Sequence, residues 1–201
     1  MNPSSPYLPG IDVSHFQGVI DWARVKAAGI AFAFIKATDG TSFIDPQLDW
    51  NSMECGRVGI PFGLYHFFRP TVDPKEQAQA FLTETKRYRS TLPPALDLEL
   101  GPVTTPQAAS WLDVVDEALG REPLIYTAPS FAAEFLGTGG MGVYPLWIAQ
   151  YTTKPYPTLP NAWSSWDFWQ HSPNGHVDGV PNLVDLDWFH GSEEDLKTWI
   201  K

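Results

Sequence analysis

Five carboxylates in this chain sit where short apolar runs would bury them. In PPALDLEL (93–100), Asp97 and Glu99 stand two residues apart on a run of β character, which puts both on one face, roughly 6.6 Å apart at Cα. GIDVSHFQG (10–18) carries Asp12, and LVDLDWF (183–189) carries Asp185 and Asp187, again two apart. Burying a carboxylate in an apolar strand is costly without a partner or a task. Clustered like charges push one pKa up. Such a set can keep one carboxyl protonated to hand a proton to a leaving oxygen while another stays ionised to stabilise an oxocarbenium-like transition state, which is what glycoside hydrolysis requires. A divalent-cation site is the other chemical use of an acidic cluster, and capping helices or pairing with Lys and Arg is the structural one. The five histidines, His15, His66, His171, His176 and His190, show no HxH or HExxH spacing, so zinc peptidase chemistry is unsupported.

The elements that must position these residues follow from periodicity. Short β-rich runs at 10–16, 30–38, 60–68, 93–100 and 122–127 alternate with stretches of helical punctuation. The clearest helix spans 74–89, with Asp73 as N-cap, Pro74 in the first turn, and Ala78, Phe81, Leu82, Thr85 and Tyr88 on one face. A second starts at Thr105-Pro106, carries Ala108, Trp111, Leu112, Val115 and Leu119 along one stripe, and stops at Gly120. Weaker helices follow Asp21, Asp45-Pro46 and Pro129. Regular βα alternation predicts a parallel sheet with helices outside it. Beyond residue 140 the alternation fails: runs at 146–151, 166–172 and 183–189 are joined by Pro, Asn, Gly and Ser segments without helical period. Five βα units and three bare strands make an α/β, irregular TIM-like barrel, with an open doubly wound sheet as the competing architecture. The division expected is a tail over 1–9 and one catalytic barrel domain over 10–201. In a barrel the first and last strands are neighbours and the βα-loop ends converge on one mouth, which would gather Asp12, Asp97, Glu99 and the Asp185/Asp187 pair.

Aromatic residues are weighed against the same frame. Six of the nine Trp fall at or after Trp147. Tyr65, Tyr126, Trp147 and Trp169 lie near strand ends beside the expected mouth and are candidates for stacking on a sugar ring. Trp22 and Trp111 fall at helical core spacing and read as packing. His15 and His66 read as ties between loops, and Cys55 as inert core.

With 13 basic against 23 acidic residues, a net charge of −10 and no extended Lys/Arg cluster, a nucleic-acid surface is not expected. The longest unbroken apolar run, Ile30 to Ile35, is far below the ~18 residues of a membrane span, so no membrane partner is expected either. A single cysteine excludes an intramolecular disulfide. The segment MNPSSPYLPG lacks a basic n-region and an apolar h-region, so no signal peptide is expected on this chain.

GIDVSHFQG, IDW (20–22), FAFIKATDG (32–40), GLYHFF (63–68), DLE (97–99), LWIAQY, the late WQ and VDLD occur in an order that resembles the glycoside hydrolase family 25 muramidases, the lysozymes that cut bacterial peptidoglycan. The resemblance covers about residues 10–190. It implies an irregular eight-stranded barrel and hydrolysis of the β-1,4 bond between N-acetylmuramic acid and N-acetylglucosamine, without cofactor or metal. By the same resemblance Glu99 is the general acid, Asp97 orients or polarises the substrate acetamido group, and Asp12 and Asp185 complete the acidic set. Where the family often has Asp-x-Asn in the last strand, this chain has Asp187, expected to add charge or bind substrate nearby. The expected partner is a peptidoglycan glycan strand and the expected state a monomer acting on the cell wall, extracellular or released by a route that needs no signal peptide. Two rivals stand beside this reading: a chitinase-like hydrolase of N-acetylglucosamine polymers, whose longer DxxDxDxE signature finds Leu92 and Ala95 here, and a non-catalytic glycan-binding domain.

Overall fold

A computed structural model describes residues 7–137 and 139–201. Its strands are β1 (Leu8–Val13), β2 (Phe32–Asp39), β3 (Phe43–Ile44), β4 (Phe62–Phe67), β5 (Ala95–Leu98), β6 (Leu124–Thr127), β7 (Leu146–Ala149), β8 (Phe168–Gly175) and β9 (Val184–Phe189). The helices are α1 (Trp22–Ala27), α2 (Leu48–Arg57), α3 (Pro74–Thr85), α4 (Thr105–Leu119), the short α5 (Pro129–Phe131), which runs into a π-helical turn (Ala132–Leu136), and α6 (Glu193–Trp199). The sheet order is β1-β9-β8-β7-β6-β5-β4-β2, and β1 also pairs with β2, so eight strands close a barrel. β3, which the periodicity did not announce, pairs antiparallel with Thr38 and Asp39 of β2 beyond the stretch held by β1. β1 opens at Leu8, two residues ahead of the expected boundary.

Strand alternation sorts the side chains. Phe32, Phe34, Ala95, Leu124, Trp147, Phe168 and Phe189 fill the lower and middle interior and are all buried. Ile11, Ile35, Leu64, Leu96, Ile125 and Ile148, at the alternate positions, face outward under Phe81 of α3 and Trp111, Leu112 and Val115 of α4. At Gly63 a Cβ would lie 2.6 Å from the Phe34 ring and 2.7 Å from the Pro93 carbonyl, so only glycine leaves room for that ring inside the barrel. α3 starts where Asp73 accepts from the Lys75 and Glu76 backbone N–H groups. α4 starts at a capping box between Thr104 and Gln107 and ends on Gly120 at φ 57°, a left-handed conformation that costs glycine little.

β9 runs antiparallel to both β8 and β1, a direction the pattern beyond residue 140 left open; the connection over 176–183 is shorter than the dozen or so residues a parallel crossover needs. One detail of the expectation is corrected: a helix follows the last strand. α6 begins at a Ser192–Asp195 capping box. It lies under the barrel, with Leu196 buried and the Trp199 ring 5.4 Å from Phe168 and 6.2 Å from Phe189. That closes the lower end and leaves the upper end as the open one.

Candidate active site

The upper turn of the interior is polar. Continuing inward past the aromatic layers, β1 offers Asp12, β2 Lys36, β4 Tyr65, β5 Asp97, β6 Tyr126, β8 Gln170 and β9 Asp185, and these line one cleft of about 300 Å³ with Glu99 and Tyr151. β5 ends at Leu98, so Glu99 is the first residue of the βα loop and stands exposed at the rim, while Asp97 is 6% exposed. In the β1/β9 register Asp12 lies directly opposite Asp185. The four carboxylates expected in the catalytic set therefore share this mouth.

Their environments differ. Burial, then the charge of Glu99, lifts Asp97 well above the ordinary carboxylate range, against the pull of Lys36. Its Oδ1 is buried and receives no hydrogen bond. Glu99 is lifted by partial burial and drawn down by Lys36. Asp12 is raised by burial and by the charges of Asp187 and Asp185, and Asp185 is pushed up to about 6 by burial and Glu99. Burial, with these carboxylates nearby, raises the Tyr65 and Tyr126 hydroxyls too, so both stay neutral donors.

Gln170 joins the floor of the cleft. Its Nε2 donates to Asp12 Oδ2 at 2.7 Å, while its Oε1 accepts from Tyr126 at 2.9 Å and Tyr151 at 2.8 Å. Neither Gln170 nor Lys36 figured among the expected site residues. Lys36 is the cation of the cleft lining, with Nζ 3.8 Å from Asp39 and 4.6 Å from the Phe67 ring centre. A charged residue inside FAFIKA, in phase with Phe32 and Phe34, was the available signal. Phe16 forms part of the lip at 72% exposure.

Three expected binding residues are placed differently. Trp169 does not line the cleft: strand parity turns Phe168 and Gln170 inward and Trp169 outward, where it packs on Trp166 and donates Nε1 to the Gln150 carbonyl. Asp187 lies beneath the cleft at 1% exposure, out of reach of a substrate, with Oδ1 accepting from Trp147 Nε1 at 2.8 Å. Trp147 touches the cleft, but it is floor; it is stacked on Phe34 at 4.3 Å and covered by Tyr126 at 4.6 Å, which leaves it little face for a sugar. Tyr65 and Tyr126 do line the cleft. The histidines tie elements together: His66 is held between Thr38 and Gln77, and the His15 ring and backbone N–H both meet Asp45. Cys55 is buried, its thiol pushed far up by burial.

Comparison with known proteins follows the same lines. The profile of the glycosyl hydrolases family 25 matches residues 11–180. Lysozyme M1 of Streptomyces globisporus is 37% identical over 94% of this chain and 70% of its own length. The protein YegX of Escherichia coli O157:H7 is 36% identical over 98% of this chain and 75% of its own. The crystal structure of the bacterial lysozyme from Streptomyces coelicolor superimposes with a TM-score of 0.88 at 36% identity, covering 94% of each chain.

Proposed function

This chain belongs to the glycosyl hydrolases of family 25, and on that premise we propose that its cleft cuts the β-1,4 bond between N-acetylmuramic acid and N-acetylglucosamine in bacterial peptidoglycan, which makes the protein a muramidase. The observation that carries the reading is the pairing of a rim carboxyl, Glu99, with a buried one, Asp97, whose Oδ1 lacks a donor beside an open cleft.

In this reading Glu99, protonated at the rim, gives its proton to the glycosidic oxygen as the bond to the anomeric carbon breaks. Asp97 Oδ1 accepts the N–H of the muramic acid acetamido group. That bond favours ionised Asp97 in the complex and turns the acetamido oxygen toward the anomeric carbon, where it attacks to form a cyclic oxazolinium. Water then opens the ring and gives a proton back to the Glu99 carboxylate, which restores the resting state. Ionised Asp185, across the mouth, stabilises the positive charge that develops. Tyr65 donates to a sugar hydroxyl, and Tyr126, whose proton goes to Gln170, accepts from one. The enzyme acts on the cell wall, and among the described residues the closed barrel, with the two-residue β3 at its margin, offers no long strand edge for pairing with a second copy, which supports a monomer.

Mass spectrometry of peptidoglycan digested by the purified protein tests the assignment. Fragments ending in reducing N-acetylmuramic acid are expected. Fragments ending in reducing N-acetylglucosamine, or no fragments at all, overturn it, the second in favour of a glycan-binding domain.

A further inference from the structure

At the cleft floor and just beneath it two carboxyls meet without a counter-ion. Asp12 and Asp187 leave adjacent strands on the same inner face and lie close enough for each charge to act on the other. They are 6% and 1% exposed. Each has one oxygen on a neutral donor, Asp12 Oδ2 on Gln170 Nε2 at 2.7 Å and Asp187 Oδ1 on Trp147 Nε1 at 2.8 Å. Asp187 Oδ2 is buried and receives no donor. Among the described residues, no ion pair reaches either carboxyl. Two ionised carboxylates this close at this depth would repel in a medium that screens them poorly and with nothing to compensate. A single proton removes the repulsion and supplies the missing hydrogen bond.

We infer that Asp12 and Asp187 hold one proton between them, and that this proton, in place of a cation, keeps Gln170 and through it the Tyr126 and Tyr151 hydroxyls set at the cleft floor. Asp187 is then a positioning residue. The groups around the pair agree in sign: Asp185 from β9 repels a second negative charge, Asp97 from β5 and Glu99 from the loop after it face the same cleft, the tyrosines from β4, β6 and the segment after β7 are neutral, and among the described residues Lys36 of β2 is the one cation of the cleft lining. Burial first, then Asp185, pushes Asp187 up to about 8, against the Trp147 indole. The titration belongs to the pair and not to one member.

The indole N–H of Trp147 reports on the pair directly, and reading it requires no substrate, so this inference stands or falls separately from the reaction assigned above. In the full chain, with the resonance assigned by W147F, the Trp147 Nε1–H NMR signal is expected to shift with a midpoint near 8 and to stay flat in D187N. In that variant the amide oxygen still accepts from the indole and the amide N–H₂ donates permanently to Asp12. D187A is expected to lower kcat about tenfold with little change in KM, and D187N to recover most of the loss. A flat indole signal in the wild type, a midpoint near 4, or an unchanged titration in D187N overturns the shared proton. Full kcat in a folded D187A overturns the positioning role. Should D187A not fold, recovery of stability without recovery of kcat in D187N overturns that role instead.

Discussion

Tyr126 of β6 donates to Gln170 of β8 at 2.9 Å, bridging the two strands that flank β7. With Tyr151 on the same oxygen and Asp12 on the amide nitrogen, one uncharged side chain satisfies three partners. Gln170→Leu keeps much of the volume and removes all three bonds. Each buried group left without a partner costs about 1–3 kcal/mol, so Q170L is expected to unfold at clearly lower urea and to lose at least about tenfold in kcat, as expected when a catalytic geometry is loosened. Tyr126→Phe removes one bond and should cost about 1 kcal/mol. Wild-type turnover of peptidoglycan by Q170L would mean that the floor needs no such hub.

Glu99→Gln preserves shape and removes the transferable proton. Loss of a general acid is typically worth ~10²–10⁴ in rate, while binding of a glycan fragment should survive because Glu99 is at the rim. Turnover and calorimetric binding, measured on the same preparation, separate the two. Near-wild-type turnover would remove Glu99 from the chemistry.

Lys36 lowers the pKa of both Asp97 and Glu99. Removing that charge in Lys36→Met favours the protonated acids, so the alkaline limb of the kcat/KM profile, where Glu99 loses its proton, should move to higher pH. The profile is expected to be a bell with its optimum on the acid side of neutrality. A limb that moved down, or stayed, would show that another group sets it.

His66 is buried against Trp111, and burial depresses its pKa to about 4. A histidine held neutral in the folded state contributes stability that is present above the unfolded pKa, near 6.5, and is lost as pH falls toward 4. Over that window the loss is on the order of 3 kcal/mol. His66→Asn should be less stable than wild type at pH 7, and the gap should narrow on acidification. Taking the difference between the two proteins cancels the carboxyl contributions, which run the other way: a raised acid loses its stabilisation as pH climbs. Urea unfolding at a series of pH values checks this, and a gap independent of pH contradicts it.

The barrel was legible because its eight strands announce themselves by composition and several outer helices by their caps, Asp73-Pro74 being the plainest. Hidden features were those decided by direction or depth. Ser192 to Asp195 carries a capping pattern with Asp in the last place, and an eight-residue link before it makes β9 turn back, yet neither shows in the apolar periodicity. Trp147 and Trp169 look alike on paper; parity set by Phe168 and Gln170 sends one inward and the other out. Asp185 and Asp187 share a face but differ in depth, because a strand tilted across a barrel wall carries successive inward residues from rim to floor. Gln170 was hidden by its neutrality, since it takes its importance from partners brought in by three other parts of the chain.

The barrel is sealed by its first strand meeting its last. Asp12 and Asp185, opposite each other across that seam, come together only after nearly the whole chain has left the ribosome, because pairings this distant in sequence form late. A nascent chain that has passed Glu99 but not yet reached β9 carries both Asp97 and Glu99 with no closed mouth around them. Chains cut short before β9 by interrupted translation therefore lack Asp185 and a closed cleft, and are expected to be without hydrolytic activity.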